Sequence, residues 1–294
     1  MATLSQWVAG ARPRTLPAAI APVLLGSAAA HLSGAADLAL AILALLVSLA
    51  LQVGVNYAND YSDGIRGTDE ARVGPVRLVG QRLAQPGNVK LAAFASFGAA
   101  GLAGLALVGL SQAWIMLPLG VFAVLAAWRY TDGDNPYGYR GLGEVYVFVF
   151  FGLMATLGTL YTQALTLSWF GLAGAVGVGA IASSILVANN LRDIPTDREH
   201  DKQTLAVRLG DRRTRLLYLT LVVVSVLALG AMAVWSPWAL LGLLAVPIAV
   251  RSVRLVLGST TGRDLVPVLA ATGLYEVAYA VLVTVGVAIG VALA

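Results

Sequence analysis

The sequence predicts an all-α fold, a polytopic bundle of membrane-spanning helices, and three observations carry that prediction. Of 294 residues, 59% are hydrophobic and only 12% charged, where soluble domains carry roughly 25% charged residues. The apolar residues fall in runs of about 18 to 23, the length at which a helix crosses a hydrocarbon core about 30 Å thick, and not in the short alternating segments of a barrel. All 19 Lys and Arg are confined to alternate connections between those runs, the asymmetry that marks cytoplasmic loops.

Nine spans follow from apolar length, at about 16–33, 36–57, 89–109, 112–130, 143–163, 168–190, 215–234, 237–257 and 271–293. Arg12 and Arg14 precede the first span, and Arg66, Arg72, Arg77, Arg82 and Lys90 follow the second. Arg129 and Arg140 follow the fourth, Arg192 to Arg215 follow the sixth, and Arg251, Arg254 and Arg263 follow the eighth. The opposite connections contain no Lys or Arg. The expected topology therefore has the N-terminus and the polar loops in the cytoplasm and the C-terminus outside, in a cell membrane. Arg12 and Arg14 lead directly into a spanning run with no processing site, so no cleavable signal peptide is expected.

The net charge of +4 is explained by this topology. With no aromatic-basic groove, nucleic acid is not an expected partner. The absence of cysteine removes thiolate metal sites, disulfides and thiol nucleophiles.

The chain reads as a single domain, 1–294, with an internal repeat of about 1–134 and 135–260 and a final helix in 261–294. An offset of 134 lays Asn56 on Asn190, Asn59 on Asp193, Asp63 on Asp197 and Gly67 on Asp201. It also lays span two on span six, so the repeat runs parallel, and two four-helix halves related by a pseudo-two-fold axis should surround a central cavity.

The chemistry is expected where spans two and six leave the bilayer, at NYANDYSDGIRGTDE (56–70) and NNLRDIPTDREHDK (189–202). Asn59 and Asp63 are four apart, as are Asp193 and Asp197, so each pair shares a helix face. Pro195 makes helical continuation less secure in the second motif. Such oxygen donors would repel one another unless a cation lay between them. With no cysteine and no spaced His pair, Mg²⁺ is expected, its coordination completed by a substrate diphosphate. Arg66, Arg72, Arg77, Arg192, Lys202 and Arg208 are candidates for the outer phosphate oxygens. Arg212, Arg213 and Arg215 are accounted for by topology alone. His31 and His200 have no ligand spacing. Taken singly, any of these acids is an ordinary helix cap or loop residue; two copies at matching register favour the site.

The segments NDYSD (59–63), NNLRDIPTD (189–197) and KQTLAVRLG (202–210) resemble the UbiA-type intramembrane prenyltransferases. ARPRTLPAAIAPVLLG (11–26), NYANDYSDGIRGTDE (56–70), RVGPVRLVGQ (72–81) and YRGLGE (139–144) resemble more narrowly the branch that prenylates 1,4-dihydroxy-2-naphthoate in menaquinone synthesis. The resemblance covers nearly the whole chain.

It implies transfer of a polyprenyl group from polyprenyl diphosphate to 1,4-dihydroxy-2-naphthoate, with loss of CO₂ and release of diphosphate, giving demethylmenaquinone. It places Asn59 and Asp63 on one Mg²⁺ and Asp193 and Asp197 on another, with Asp60 in the first motif and Lys202 as the base after the second. The wider superfamily often has a third acid where this chain has Gly67, a role for which Asp69 is a candidate. The naphthoate branch commonly has Gly where this chain has Asp201, and Asp201 reads as a solvated loop charge. Arg140 is the candidate for the charge of the superfamily's Lys motif.

The reaction class calls for ionisation of an allylic diphosphate in a dry cavity, with metal, Arg and Lys neutralising the leaving group. Tyr57, Tyr61, Tyr130, Tyr146 and Tyr161 are candidates for facing the cation, against the ordinary role of such tyrosines as interfacial anchors. Arg12 or Arg14 would pair with the acceptor's carboxylate, Asn56 and Asn190 belong to the substrate site, and the isoprenyl tail would extend into membrane lipid. Other acceptors on the same scaffold, 4-hydroxybenzoate or homogentisate, and a membrane transporter are the competing readings. Glu144 is expected at a favourable helix N-terminus. Glu276, within span nine, is expected to pair with Arg251 or Arg254.

Overall fold

A computed structural model describes residues 2–67, 76–130, 136–258 and 260–294. The described residues are helical apart from short connections. A short helix α1 (Leu4–Gly10) opens the chain and is capped by Thr3, whose side chain accepts from the Gln6 amide. The chain then breaks at Arg12, at φ 55, and turns by 49° into α2 (Pro17–Leu32). Pro17 lies in the first turn of α2, where a missing N–H costs nothing.

The longer helices follow as α3 (Leu38–Ile65), α4 (Pro86–Ser111), α5 (Met116–Arg129), α6 (Gly143–Ala164) and α7 (Trp169–Glu199). After the short α8 (Leu205–Leu209) come α9 (Asp211–Met232), α10 (Pro237–Leu257) and α11 (Gly262–Ala292). Asp37 caps α3 through the Leu40 amide, and Ser168 caps α7 through the Gly171 amide. Between Phe148 and Met154, α6 is wound as a π-helix.

Seven of these helices are long and apolar enough to cross a membrane, and the bent pair of α1 and α2 makes eight. The fourth expected span, 112–130, is shorter than its sequence suggested. Gln112 ends α4 in the left-handed conformation at φ 59, and the turn to Met116 leaves α5 only 14 residues.

Close approach is set by small residues, as in other membrane bundles. A Cβ on Gly152 of α6 would stand 2.6 Å from the Gly179 Cα of α7, and one on Gly54 of α3 would stand 2.5 Å from the Phe97 ring of α4. Polar contacts join the later helices. Tyr218 and Thr272 share a hydrogen bond of 2.7 Å, and the Tyr279 hydroxyl donates to the Ser225 carbonyl at 3.0 Å. Arg215 chelates Asp211 and donates to the carbonyls of Val256, Gly258 and Thr260, tying α9 to the end of α10.

Glu276 is a correction. Because α11 begins at Gly262 and not near 271, the residue lies well inside the helix, and its side chain is 0% exposed. Arg251 and Arg254 are exposed on α10, so no pair with either forms; neither carboxyl oxygen has a hydrogen-bond partner among the described residues.

Candidate active site

Both motif helices run past their apolar length into the polar motif without a break. α3 continues to Ile65, and α7 continues to Glu199 with Pro195 inside it. The helical continuation that Pro195 put in question therefore holds. The Thr196 hydroxyl adds a local bond by donating to the Asp193 carbonyl at 3.0 Å. The two helices stop alike, with Gly67 at φ 74 and Asp201 at φ 54, positions equivalent in the 134-residue offset. Left-handed backbone favours Gly and tolerates Asp or Asn better than other residues. Asp201 is exposed and serves as a helix stop.

A cavity of ≈ 1690 Å³ opens between the helices. Asn59, Asp63, Arg77, Arg192 and Lys202 line its polar part, together with Arg12 and Arg14 from the break before α2. The lining then follows α3 inward to Val47 and Ala44, a run of about 28 Å at 1.5 Å per residue. Tyr130, Tyr137, Tyr146 and Phe150 form an aromatic wall, with Tyr137 and Tyr146 stacked at 3.8 Å and Tyr130 edge-on to Tyr137 at 5.3 Å. Burial, with Tyr130 and Tyr146 beside it, pushes the Tyr137 phenol above its ordinary range, so it stays neutral.

At the first motif, Asp63 is 3% exposed and lies 3.7 Å from the Arg77 guanidinium. Its Oδ1 accepts a hydrogen bond of 2.8 Å from the Tyr139 hydroxyl. Asp60 accepts from the amides of Leu78 and Val79 at 2.7 and 3.1 Å. It is absent from the cavity lining, and it fastens the strand of chain that carries Arg77. Asn56 donates to the Ala11 carbonyl at 2.9 Å and to Thr15 Oγ1 at 3.0 Å.

At the second motif, Arg192 grips Asp193 at 2.7 and 2.8 Å and donates to Asn189 Oδ1 at 2.8 Å. Lys202 Nζ lies 3.9 Å from Asp197 Oδ1, and Thr204 Oγ1 lies 3.4 Å from Asp197 Oδ2. The Lys202 ammonium also lies 4.9 Å over the Tyr139 ring, and Arg66 lies 5.5 Å over the same ring. Tyr139 thus touches both motifs.

Of the expected residues, Asn56, Asn59, Asp63, Arg77, Tyr130, Asn190, Arg192, Lys202, Arg12 and Arg14 all line one cavity. Asp193 and Asp197 are buried but reach that wall through their partners Arg192 and Lys202. Arg66 and Arg140 are exposed and do not line it. Arg208 turns back onto the Gln203 carbonyl. Asp69 and Arg72 lie outside the described residues. Tyr146 joins the wall, whereas Tyr57 donates to the Trp7 carbonyl, Tyr61 stacks on Trp128, and neither they nor Tyr161 line the cavity.

Sequence reasoning passed over Tyr137, Tyr139 and the partner of Glu144. The available signal was position: Tyr137, Tyr139 and Glu144 lie in or beside the connection between spans four and five. Glu144 does open α6 as an acid in the first turn, and its Oε1 also accepts from Asn190 Nδ2 at 2.9 Å.

The donor set is oxygen only, which suits a hard cation. Among the described residues, no three acidic or histidine side chains converge. Instead Asp63, Asp193 and Asp197 each face an organic cation. The acids of both motifs thus stand beside positive side chains, a fit for cations shared with a polyanion.

Comparison with known proteins identifies the family. A 1,4-dihydroxy-2-naphthoate octaprenyltransferase of Mycobacterium tuberculosis is 55% identical over 290 residues, covering 99% of each chain. The apo structure of a UbiA homolog from Aeropyrum pernix superposes with a TM-score of 0.69 at 14% identity, over 92% of this chain and 97% of that one. A UbiA homolog from Archaeoglobus fulgidus, bound to GPP and Mg²⁺, gives a TM-score of 0.62 at 14% identity, over 96% of this chain and 99% of that one. At such identities the two structures speak for the fold. Residues 19–266 match the UbiA prenyltransferase family, and the chain belongs to that family.

Proposed function

We propose that this protein transfers a polyprenyl group from polyprenyl diphosphate to 1,4-dihydroxy-2-naphthoate, with loss of CO₂ and release of diphosphate, giving demethylmenaquinone in its reduced, quinol form. The mycobacterial relative supports the choice of acceptor. The observation that carries the reaction is the placing of Asp63, Arg77, Arg192 and Lys202 at one part of a cavity whose remaining length is apolar and aromatic.

In this reading Asn59 and Asp63 would hold one Mg²⁺, and Asp193 and Asp197 a second. When bound, the metal supplies charge that stabilises the departing diphosphate. Arg77, Arg192 and Lys202 hold its outer oxygens by charge-assisted hydrogen bonds. Arg12 or Arg14 holds the acceptor's carboxylate, and that placement presents the ring carbon to the allylic carbon. Tyr130, Tyr137 and Tyr146 exclude water and turn π faces to the developing cation. The C–O bond breaks with its electrons going to the diphosphate, the ring carbon bearing the carboxylate supplies the pair for the new C–C bond, and loss of CO₂ returns the pair of the broken carboxylate bond to the ring. The groove along α3 from Asp63 to Ala44 accommodates the isoprenyl tail.

Two finer features of the architecture belong to the same proposal. α5 serves as a ninth crossing, which gives two parallel four-helix halves and a final helix. The N-terminus and both motifs then face the cytoplasm and the C-terminus the outside, as the Lys and Arg distribution favours.

The test uses purified protein in detergent with Mg²⁺, a polyprenyl diphosphate and either 1,4-dihydroxy-2-naphthoate or 4-hydroxybenzoate. Release of diphosphate and a decarboxylated lipid product from the naphthoate are expected. Consumption of 4-hydroxybenzoate in its place would refute the acceptor, and failure of both would refute the enzyme.

A further inference from the structure

Glu144 is buried, 6% exposed, in the first turn of α6. Two contacts fasten that turn to α7: Asn190 Nδ2 donates to Glu144 Oε1 at 2.9 Å, and Ser183 Oγ donates to the Glu144 carbonyl at 3.2 Å. Stabilising a helix N-terminus would not require the first of these. Asn190 lines the cavity, and its amide nitrogen is engaged by Glu144. Its Oδ1 accepts no hydrogen bond among the described residues and is not among the buried oxygens that lack a partner. The carbonyl end of Asn190 is thus the end that the cavity meets.

Asn56, the equivalent residue in the offset of 134, is held the same way round. Its Nδ2 is engaged by the Ala11 carbonyl, which can only accept, and by Thr15 Oγ1, and it too lines the cavity. In each half a fixed acceptor takes the amide N–H and leaves the negative end of the dipole inward.

We propose that Glu144 is a positioning residue for prenyl transfer: it holds the Asn190 carbonyl oxygen toward the allylic carbon that becomes positive as the diphosphate departs. The inference rests on the prenyl-transfer reading. Asn190 lies one turn inward of Asp193, about 4.5 Å along the helix axis, on the side of a diphosphate held at the motif acids where its prenyl carbon would lie. A carbonyl oxygen there stabilises developing positive charge, whereas an N–H would oppose it. Neither Asn190 nor Glu144 gains or loses a proton in the step.

The test is a kinetic cycle with Glu144→Leu, Asn190→Leu and the double variant, each confirmed folded by thermal melting, assayed with Mg²⁺, polyprenyl diphosphate and the naphthoate. Each single variant should lower kcat by about tenfold or more with KM for the diphosphate little changed, and Glu144→Leu should cost nothing further on top of Asn190→Leu. Should Glu144→Leu fail to fold, the reversed pair decides the matter. Asn190→Asp alone sets two acceptors against each other and should lose turnover; adding Glu144→Gln restores one hydrogen bond and should recover most of it. Wild-type kcat in Glu144→Leu, multiplied losses in the double variant, or no recovery in the reversed pair would overturn the inference. Turnover by the wild-type protein would leave the prenyl-transfer reading intact in each of those cases, and an inactive wild-type protein would refute that reading itself.

Discussion

The Tyr139 hydroxyl donates to Asp63 Oδ1 at 2.8 Å while the Lys202 ammonium lies 4.9 Å over the same ring, so one side chain joins the acid of one motif to the base of the other. Tyr139→Phe keeps the ring under Lys202 and Arg66 and removes the bond to Asp63. Tyr139→Ala removes these contacts together, and exposed cation-π contacts alone contribute about 0.5–1 kcal/mol each. Turnover should therefore fall in the order wild type, Phe, Ala, with at least about a fivefold gap between Phe and Ala on that basis. Equal activity in the two variants would show that the ring has no part in holding Lys202.

Asp60 and Asp63 stand three residues apart on α3 and should fail differently. Asp63→Ala removes a proposed metal ligand and should abolish turnover, as should Asp193→Ala, with melting temperature nearly unchanged; chelation of Mg²⁺ should reproduce the loss. Asp60→Ala leaves the buried amides of Leu78 and Val79 without an acceptor, a penalty of about 1–3 kcal/mol per unsatisfied group. A lowered melting temperature is the expected result. Normal activity in Asp63→Ala or Asp193→Ala would refute the metal assignment, and an inactive Asp60→Ala of wild-type stability would return Asp60 to the chemistry.

The motifs were legible because their signal is local: Asn59 and Asp63, and Asp193 and Asp197, share helix faces by spacing alone, and both emerge at the ends of long apolar runs. The contacts that complete the site were not legible, because they bridge distant positions. Tyr139 meets Asp63 across 76 residues, and Asn190 meets Glu144 across 46. Helix ends were the other loss. Gln112 turning left-handed shortened α5, and the early start of α11 carried Glu276 away from the arginines of α10. In each case backbone geometry a few residues away decided where a side chain went.

Asp201 supplies a test of the helix-stop reading. At φ 54 it holds a left-handed conformation that glycine adopts freely. Asp201→Gly should raise stability by about 0.5–1 kcal/mol, part of the left-handed penalty for L-residues, and leave turnover unchanged. A loss of activity with no loss of stability would give Asp201 a role at the second motif.

Between Gly152 and Gly179 the backbones of α6 and α7 approach too closely for any side chain, since a Cβ on Gly152 would lie 2.6 Å from the Gly179 Cα. Neither helix can give way freely, because Glu144 and Ser183 fasten them nearer the motif end. Gly152→Ala should destabilise by about 1–3 kcal/mol through overpacking, measured as a fall in melting temperature in detergent. Because the displaced turn of α6 lies beside Phe150 and Phe151 of the cavity wall, turnover should fall with it. A variant as stable as wild type would show that the two helices are not held at this crossing.

Glu276 is a fully buried acid that the proposed chemistry leaves unused. Its neighbours on α11 are satisfied: Thr272 bonds to Tyr218, and Tyr275 and Tyr279 both bond to Ser225. The carboxyl group itself is fully buried with neither oxygen bonded among the described residues. A buried polar group without a partner costs about 1–3 kcal/mol, and replacement by an apolar group of similar shape recovers that cost. Glu276→Leu should therefore raise the melting temperature without changing turnover, and the comparison with Glu276→Gln separates shape from polarity, since Gln keeps the unpaired oxygen and should gain little. If Leu lowers the melting temperature while Gln does not, Glu276 serves a polar contact in the folded protein and the carboxyl site is structural rather than a strain on α11.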